Sequence, residues 1–272
     1  MSANFSISPA ELWREIGSAS TPVIIDVRRP ETIISSNGLF PGATVRDPHD
    51  AASWTFADNS NLIVVACKHG HERSQMAVAQ LRARKLDAQV LDGGYEAWRA
   101  AMLPVIDRST MLRIVPTIPS LWVTRRRPKI DRVACPWLIR RFIDPQARFL
   151  FVDPTEVTAV AREAGAIPFD IEGVELSHEG ERCSFDTMLR LFGLESEPSL
   201  ARLALIVRGA DTARPDIAAE AAGLHAVSIG LSALSGDDDH GLLRRGFVVY
   251  DALFTWVRFA AGERHNWPAK AA

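Results

Sequence analysis

The sequence predicts two units in series: an α/β domain with a central parallel sheet over residues 1–104 and a mainly helical α+β domain over residues 121–272. Three observations carry this. In the first hundred residues, short β-branched runs apolar on both faces alternate with helical patterns, as buried parallel strands alternate with crossover helices. The stretch "PVIDRSTMLRIVPTIPS" then carries three prolines and no period of either kind, so residues 105–120 read as a linker. Beyond it, helical patterns outnumber strand-like runs.

The elements follow in order. "SPAELWREI" opens a helix, with Ser8 as cap, Pro9 in the first turn and Glu11 completing a capping box. "PVIIDVR" (Pro22–Arg28), "NLIVVAC" (Asn61–Cys67) and "AQVLD" near Ala88 are the buried strands, and helices are expected at Ser74–Lys85 and Tyr95–Met102. In the second half "LWVTR" and "RFLFV" read as strands. "DRVACPWLIRRFI", "DPTEVTAVAREAG", "CSFDTMLRLFG", "PSLARLALIVRGAD" and "HGLLRRGFVVYDALFTWVRFA" read as helices. Asp153 to Glu156 forms a capping arrangement for the second of these helices, and Gly193 follows the apolar face of the third. There is no internal repeat.

Composition narrows the function classes. A chain of 272 residues with 47% hydrophobic and 24% charged residues is globular, and its formal charge of −2 gives no global attraction to nucleic acid or an anionic membrane. The start lacks the pattern of a signal peptide and no apolar run is long enough to span a bilayer, so a cytoplasmic location without a membrane partner is expected. Three widely spaced cysteines, Cys67, Cys135 and Cys183, suggest neither a disulfide framework nor a cysteine-rich zinc site. Cys135, beside Pro136, is expected to pack inside a helix.

Cys67 stands apart because of its position. It ends a buried strand, and Lys68, His69, Gly70, His71, Glu72 and Arg73 separate it from the next helix, so the loop can turn its backbone N–H groups inward as an anion cradle. The helix dipole and Arg73 would favour the thiolate and make it a nucleophile, whereas a cysteine after an apolar run can also be a small buried hydrophobe. His69 and His71 are donors or acid–base groups beside the sulfur, or solvated loop residues; Lys68 faces solvent. Asp26, with Arg28 just beyond, either meets the loop or caps the following turn, and Arg73 is the group expected to close the cradle around an oxyanion.

"IIDVR" (Ile24–Arg28), "FPGA" (Phe40–Ala43), the Cys67 loop followed by "RSQMAVAQL", and "LDGGYEAW" (Leu91–Trp98) resemble, in order and spacing, the signature segments of the rhodanese, or single-domain sulfurtransferase, family. The resemblance covers roughly residues 5–104. It implies a rhodanese-like fold in which Cys67 accepts a sulfane sulfur as a persulfide from a small donor and passes it to a thiophilic acceptor, with no cofactor required. Two departures stand out. Leu39 takes the place of a histidine common before "PGA". The five residues "KHGHE" between Cys67 and Arg73 are one more than typical sulfurtransferases have, a length that resembles rhodanese-fold phosphatases and arsenate reductases. An oxyanion reductase or phosphatase is therefore the alternative enzyme, and a redox or anion sensor the non-enzymatic one.

"WVTRRRPKIDRVACPWLIRRFIDPQARFLFVD", "ELSHEGERCSFDTMLRLFGL" and "IVRGADTARPD" resemble the C-terminal domain of bacterial chromate-resistance proteins of the ChrB type, over roughly Leu121–Arg258. That resemblance implies association with chromate response, with chromate or another oxyanion as a partner. Two sites can be read from the residues themselves. Arg125, Arg132 and Arg140, among neighbouring basic residues, suit a doubly charged oxyanion, or form a solvated face. "SHEGERCSFD" places His178, Cys183 and Asp186 within nine residues, a mixture that suits a transition metal; Asp211, or the acidic run Asp237–Asp239 with His240, would complete it. Asp186 can equally serve the helix N-terminus.

Overall fold

The computed structural model describes residues 5–56 and 62–263; Asn61, at the head of the second expected strand, lies outside the described residues with 1–4, 57–60 and 264–272. Strand β1 (Ser6–Ile7) leads into helix α1 (Pro9–Glu15). As expected, the Ser8 hydroxyl accepts from the Glu11 backbone N–H at 3.2 Å while the Glu11 carboxylate accepts from the Ser8 N–H at 2.9 Å. Then come β2 (Val23–Asp26), α2 (Pro30–Ser36), β3 (Gly38–Leu39), β4 (Thr44–Val45), β5 (Ile63–Ala66), α3 (Glu72–Ala83), β6 (Ala88–Leu91) and α4 (Gly94–Ala100). Five of the strands form one parallel sheet in the order β1-β6-β5-β2-β4. Strand β5 is buried at every position, which is why its sequence is apolar on both faces.

The segment expected to be an irregular linker is structured. Strand β7 (Ile106–Asp107) pairs antiparallel with β3, and α5 (Arg108–Ile114) begins where Asp107 accepts from the Thr110 N–H at 2.7 Å. Met111, Ile114 and Val115 are buried in the main core. The prolines at 104 and 116 flank these elements instead of interrupting them, so the apolar side chains between them were free to pack.

The second half has a three-stranded parallel sheet with a helical remainder. Strand β8 (Leu121–Arg125) lies between β9 (Arg148–Val152) and β10 (Ile167–Pro168). Helix α6 (Asp131–Leu138) joins β8 to β9 through a π-helical turn at Ile139–Ile143, and α7 (Val157–Ala164) joins β9 to β10. The remaining helices are α8 (Ser184–Leu191), α9 (Pro198–Asp211), α10 (Ala221–Ser235) and α11 (Asp239–Thr255), the last extended by a π turn, Trp256–Ala260. Asp153 does not cap α7. Its carboxylate accepts from the Thr155 N–H and hydroxyl at 3.2 and 2.8 Å, and so closes a turn ahead of the helix.

The two halves share one hydrophobic core. Trp13 of α1 packs edge-on against Trp98 of α4, with centroids 6.0 Å apart, and against Phe142 of the π turn at 6.2 Å. Phe142 in turn meets Phe254 of α11 at 5.7 Å and Trp137 of α6 at 5.6 Å. Gly17 has a φ of +97°, and a Cβ there would lie 2.4 Å from the Phe254 ring, so the chain leaving α1 needs glycine both for its conformation and for the approach of the ring. Across this seam the Arg258 guanidinium donates to the carbonyls of Trp13, Arg14 and Ile16 at 2.6, 3.2 and 2.9 Å, satisfying acceptors that the end of α1 leaves open.

Because these rings belong to both halves, the chain should unfold in one transition. Trp13→Ala should destabilise it by about 3–5 kcal/mol, the range for deleting a large buried ring. Calorimetry and tryptophan fluorescence should lose both halves together; two separate melting transitions in the wild type would contradict the shared core.

Candidate functional site

Cys67 follows β5 at the carboxyl end of the sheet, and α3 begins five residues later. The sulfur is nearly buried and receives two donors: the His71 backbone N–H at 3.3 Å and the Ser74 hydroxyl at 3.2 Å. Burial, the largest single influence, pushes the thiol up. The Ser74 hydroxyl and the backbone N–H groups of His69, Ser74 and His71 together outweigh it and hold the Cys67 thiol below its ordinary range.

Glycines permit this loop. The carbonyls of Cys67 and Lys68 accept from the Tyr95 and Glu96 N–H groups at 2.9 and 3.1 Å, which seats the loop on the first turn of α4. A Cβ at Gly94 would lie 2.3 Å from the Cys67 carbonyl oxygen, and one at Gly70 would lie 2.7 Å from that of Leu91. Both glycines also have positive φ, so "LDGG" is the floor on which the cysteine loop rests.

The other residues expected around the sulfur divide into loop and scaffold. His69 and His71 are exposed, their rings 6.1 Å apart, and Lys68 is exposed 3.9 Å from Glu96; Glu72 opens α3. The Nε of Arg73 donates to the Val27 carbonyl at 2.8 Å, tying α3 to the end of β2. Ser74, which sequence reasoning left out, is the side chain that touches the sulfur. Its signal was its place one turn into the helix behind the cysteine. Asp26 and Arg28 do not meet the loop directly. They form a buried pair in which the Arg28 Nε lies 3.0 and 2.9 Å from the two carboxylate oxygens. The guanidinium also donates to the Gly38 carbonyl at 2.8 Å and lies 3.8 Å above the Tyr95 ring, so the pair supports the loop through Tyr95.

A second cluster lies in the other half. The Nε2 of His178 is 3.2 Å from Asp131 Oδ2, 3.4 Å from Asp170 Oδ1 and 3.3 Å from Asp211 Oδ2. Asp131 begins α6, Asp211 ends α9, and Asp170 and His178 sit on a loop that closes on itself through the Asp170 N–H and the Leu176 carbonyl at 2.9 Å. The hydrogen bond to Asp131, with the fields of all three carboxylates, raises His178 to about 9 against the effect of burial. Burial, then the charges of Asp131 and Asp170, raise Asp211 to about 7. The backbone is unusual here too. Ile130 has a φ of +40°, costly for a β-branched residue, and Tyr250 secures it by donating its hydroxyl to the Ile130 carbonyl at 2.7 Å.

This arrangement corrects the ligand set read from the sequence. His178 and Asp211 do come together, and the Cys183 sulfur is close to Asp131 and Asp211. Asp186 is not available: it accepts from the Cys183 N–H at 3.1 Å and is gripped by Arg208 at 3.0 and 2.6 Å, the helix-capping alternative. The run Asp237–Asp239 with His240 serves elsewhere. Asp238 caps α11, Asp239 accepts from the Arg127 N–H at 2.9 Å, and His240 packs against Phe151. Asp131 and Asp170, which complete the cluster, were missed. Each is a single acidic residue beside a buried apolar one, in "KIDR" and "PFDI", which was the available signal.

The arginines expected to bind an oxyanion are similarly reassigned. Arg125 and Arg132 contact the Asp170 carboxylate at 2.7 and 3.2 Å, because a buried carboxylate needs them more than solvent does. Arg140 donates to the Ala147 carbonyl at 2.9 Å and stacks over Phe149 and Phe247, away from the other two. Cys135 is fully buried within α6, as expected.

Comparison with known proteins matches the two halves separately. The family model for a rhodanese-like domain matches residues 8–101, and that for the ChrB C-terminal domain matches residues 122–257, half of the chain. Protein ChrB of Cupriavidus metallidurans is 40% identical over 134 residues, covering 49% of this chain but only 40% of that protein's length. The thiosulfate sulfurtransferase GlpE of Pseudomonas putida is 33% identical over 102 residues, covering 36% of this chain and 88% of its own. A rhodanese-related protein from Thermoplasma volcanium, known from a crystal structure, aligns with a TM-score of 0.33 at 25% identity, covering 38% of this chain and 98% of its own. Among the described residues no helix is long and apolar enough to cross a membrane.

The donors around Cys67 set its reactivity with pH. Alkylation by iodoacetamide should reach half its maximal rate below the ordinary thiol midpoint of about 8.5, since the shift favours the thiolate. Ser74→Ala, which removes the largest of the lowering influences, should move that midpoint upward. An identical pH profile in the variant would show that the hydroxyl does not act on the sulfur.

Proposed function

The chain belongs to the rhodanese-like family in its first half and to the ChrB C-terminal domain family in its second, and from this premise we propose that it is a sulfurtransferase acting through a Cys67 persulfide. The observation that carries the reading is the pair of donors on the Cys67 sulfur, the His71 N–H at 3.3 Å and the Ser74 hydroxyl at 3.2 Å, at the start of a helix. Donors so placed stabilise a thiolate and, after transfer, the negative charge of a persulfide.

The thiolate attacks the outer sulfur of thiosulfate or a related sulfane donor. A Cys67 S–S bond forms, the donor S–S bond breaks, and sulfite leaves with the electron pair. A thiophilic acceptor such as cyanide then attacks the terminal sulfur, giving thiocyanate and returning the thiolate. Each step is a displacement at sulfur, so electrons balance without a metal or an external redox partner. The resemblance of the second half to chromate-resistance proteins supports placing this chemistry in a bacterial chromate response.

The seven-residue span from Cys67 to Arg73 invites phosphatase or reductase chemistry, but such chemistry needs the arginine fork on the oxyanion. The Arg73 Nε is given to the Val27 carbonyl, so only its two Nη groups remain for an oxyanion, whereas the donors on the Cys67 sulfur are already in place, which favours sulfur transfer.

Thiosulfate treatment should add roughly 32 Da, one sulfur, to the intact protein at a thiolate made reactive by its loop. Cys67→Ser should abolish both the adduct and thiocyanate formation. An adduct that persists in Cys67→Ser, or turnover of an aryl phosphate with no sulfur uptake, would overturn the reading.

A further inference from the structure

The cluster in the second half has a geometry that hydrogen bonding alone does not explain. Protonated or neutral, the His178 Nε2 carries at most one hydrogen, yet three carboxylate oxygens from three different elements stand 3.2–3.4 Å from that one nitrogen. Four ligands around a first-row cation at about 2.0–2.1 Å lie roughly 3.3 Å from one another in a tetrahedron, and the three separations from His178 Nε2 match that spacing, while the ligand atoms of Asp131, Asp170 and His178 all lie within 4.8 Å of one another.

The surroundings agree. The oxygens of Asp170 divide their work: Oδ2 is held by Arg125 and Arg132 at 2.7 and 3.2 Å, while Oδ1, steadied by the Ser184 hydroxyl at 2.8 Å, faces His178. The Ser184 N–H holds Asp131 Oδ2 at 3.3 Å. Outer partners of this kind orient metal ligands. Asp211 Oδ2 faces His178 Nε2 at 3.3 Å from the end of α9. A cavity of about 350 Å³, lined by Arg125, Asp170, Glu172, Ser177 and His178, reaches two of these residues, Asp170 and His178, from solvent and offers an entry path to that side of the cluster.

We propose that His178 Nε2, Asp131 Oδ2, Asp170 Oδ1 and Asp211 Oδ2 form a binding site for one divalent transition-metal ion, reached through this cavity. One nitrogen and three oxygens suit zinc, manganese or ferrous iron better than calcium, which prefers oxygen alone. Cys183 is the neighbouring sulfur, near Asp131 and Asp211, and its thiol donates to Asp186 Oδ2 at 3.4 Å, so it is not counted among the four ligands proposed. The site is separate from Cys67, and the proposal does not depend on sulfur transfer.

The test uses the full chain, stripped with chelator, dialysed, and titrated calorimetrically with zinc or manganese alone. One ion per chain should bind, Asp211→Asn and His178→Gln should each weaken it at least tenfold, and Cys67→Ser should bind as the wild type does. Should either variant fail to fold, cobalt(II) in the wild type still decides: the visible spectrum should show ligand-field bands without a thiolate charge-transfer band. No saturable binding by the wild type, unchanged affinity in both folded variants, or a sulfur-to-cobalt band would overturn the assignment.

Discussion

One guanidinium determines how much of this molecule behaves as a unit. The end of α1 leaves carbonyls without helical partners, and Arg258, from the last helical turn among the described residues, takes three of them. Closing that end brings the Phe254 ring against Gly17 and Phe142 against Trp13, so the first helix of the sheet domain is covered by the last helix of the other. From Trp13 the packing runs through Trp98 to α4, whose N-terminal turn carries the cysteine loop. In the other direction it runs through Phe142 and Trp137 to α6, whose first residue is Asp131. Both candidate sites are therefore fixed to opposite ends of the same ring stack.

What the sequence revealed and what it concealed follows from how far apart the deciding residues are. The four-residue strands β2, β5 and β6 were legible because burial leaves a nearly unbroken apolar run, and α1 because Ser8, Pro9 and Glu11 are neighbours. Cys67 was legible for the same local reason, a strand, a loop with glycine and a helix in succession. The two-residue strands β3, β4 and β7 carry no period to detect, and α5 was hidden by the prolines on either side of it. Helix α10 escaped because its fifteen residues carry almost no charge, leaving no polar face to define a helical pattern.

The His178 cluster was hardest, since Asp131, Asp170, His178 and Asp211 are far apart in sequence and only the fold brings the three carboxylates to the imidazole. A sequence neighbourhood suggested Asp186 because it stood near His178 and Cys183. The capping requirement of α8 and the pull of Arg208 had a stronger claim on it. The same competition moved Arg125 and Arg132 from a supposed anion site to Asp170. In each case a buried group that would otherwise go unsatisfied captured the nearest opposite charge, an energetic demand of several kcal/mol that spacing along the chain does not record.

The two sites solve opposite electrostatic problems with different materials. Around Cys67 the charge to be held is negative and arises on one sulfur, so backbone N–H groups and one hydroxyl suffice, and glycines bring the loop close enough to present them. Around His178 the charge to be held in the proposed site is positive, and backbone donors would repel it. The protein gathers carboxylates instead, then has to stop them from repelling one another. It does so unevenly: Asp170 is neutralised from outside by two arginines, while Asp211 faces His178 at 3.3 Å. That unevenness leaves the deficit of positive charge at the inner face of the cluster, beside the cavity. Asp131 follows directly on the positive-φ residue Ile130, whose carbonyl accepts from the Tyr250 hydroxyl, and its Oδ2 accepts from the Ser184 N–H at 3.3 Å, so both its backbone and its carboxylate are held at that face.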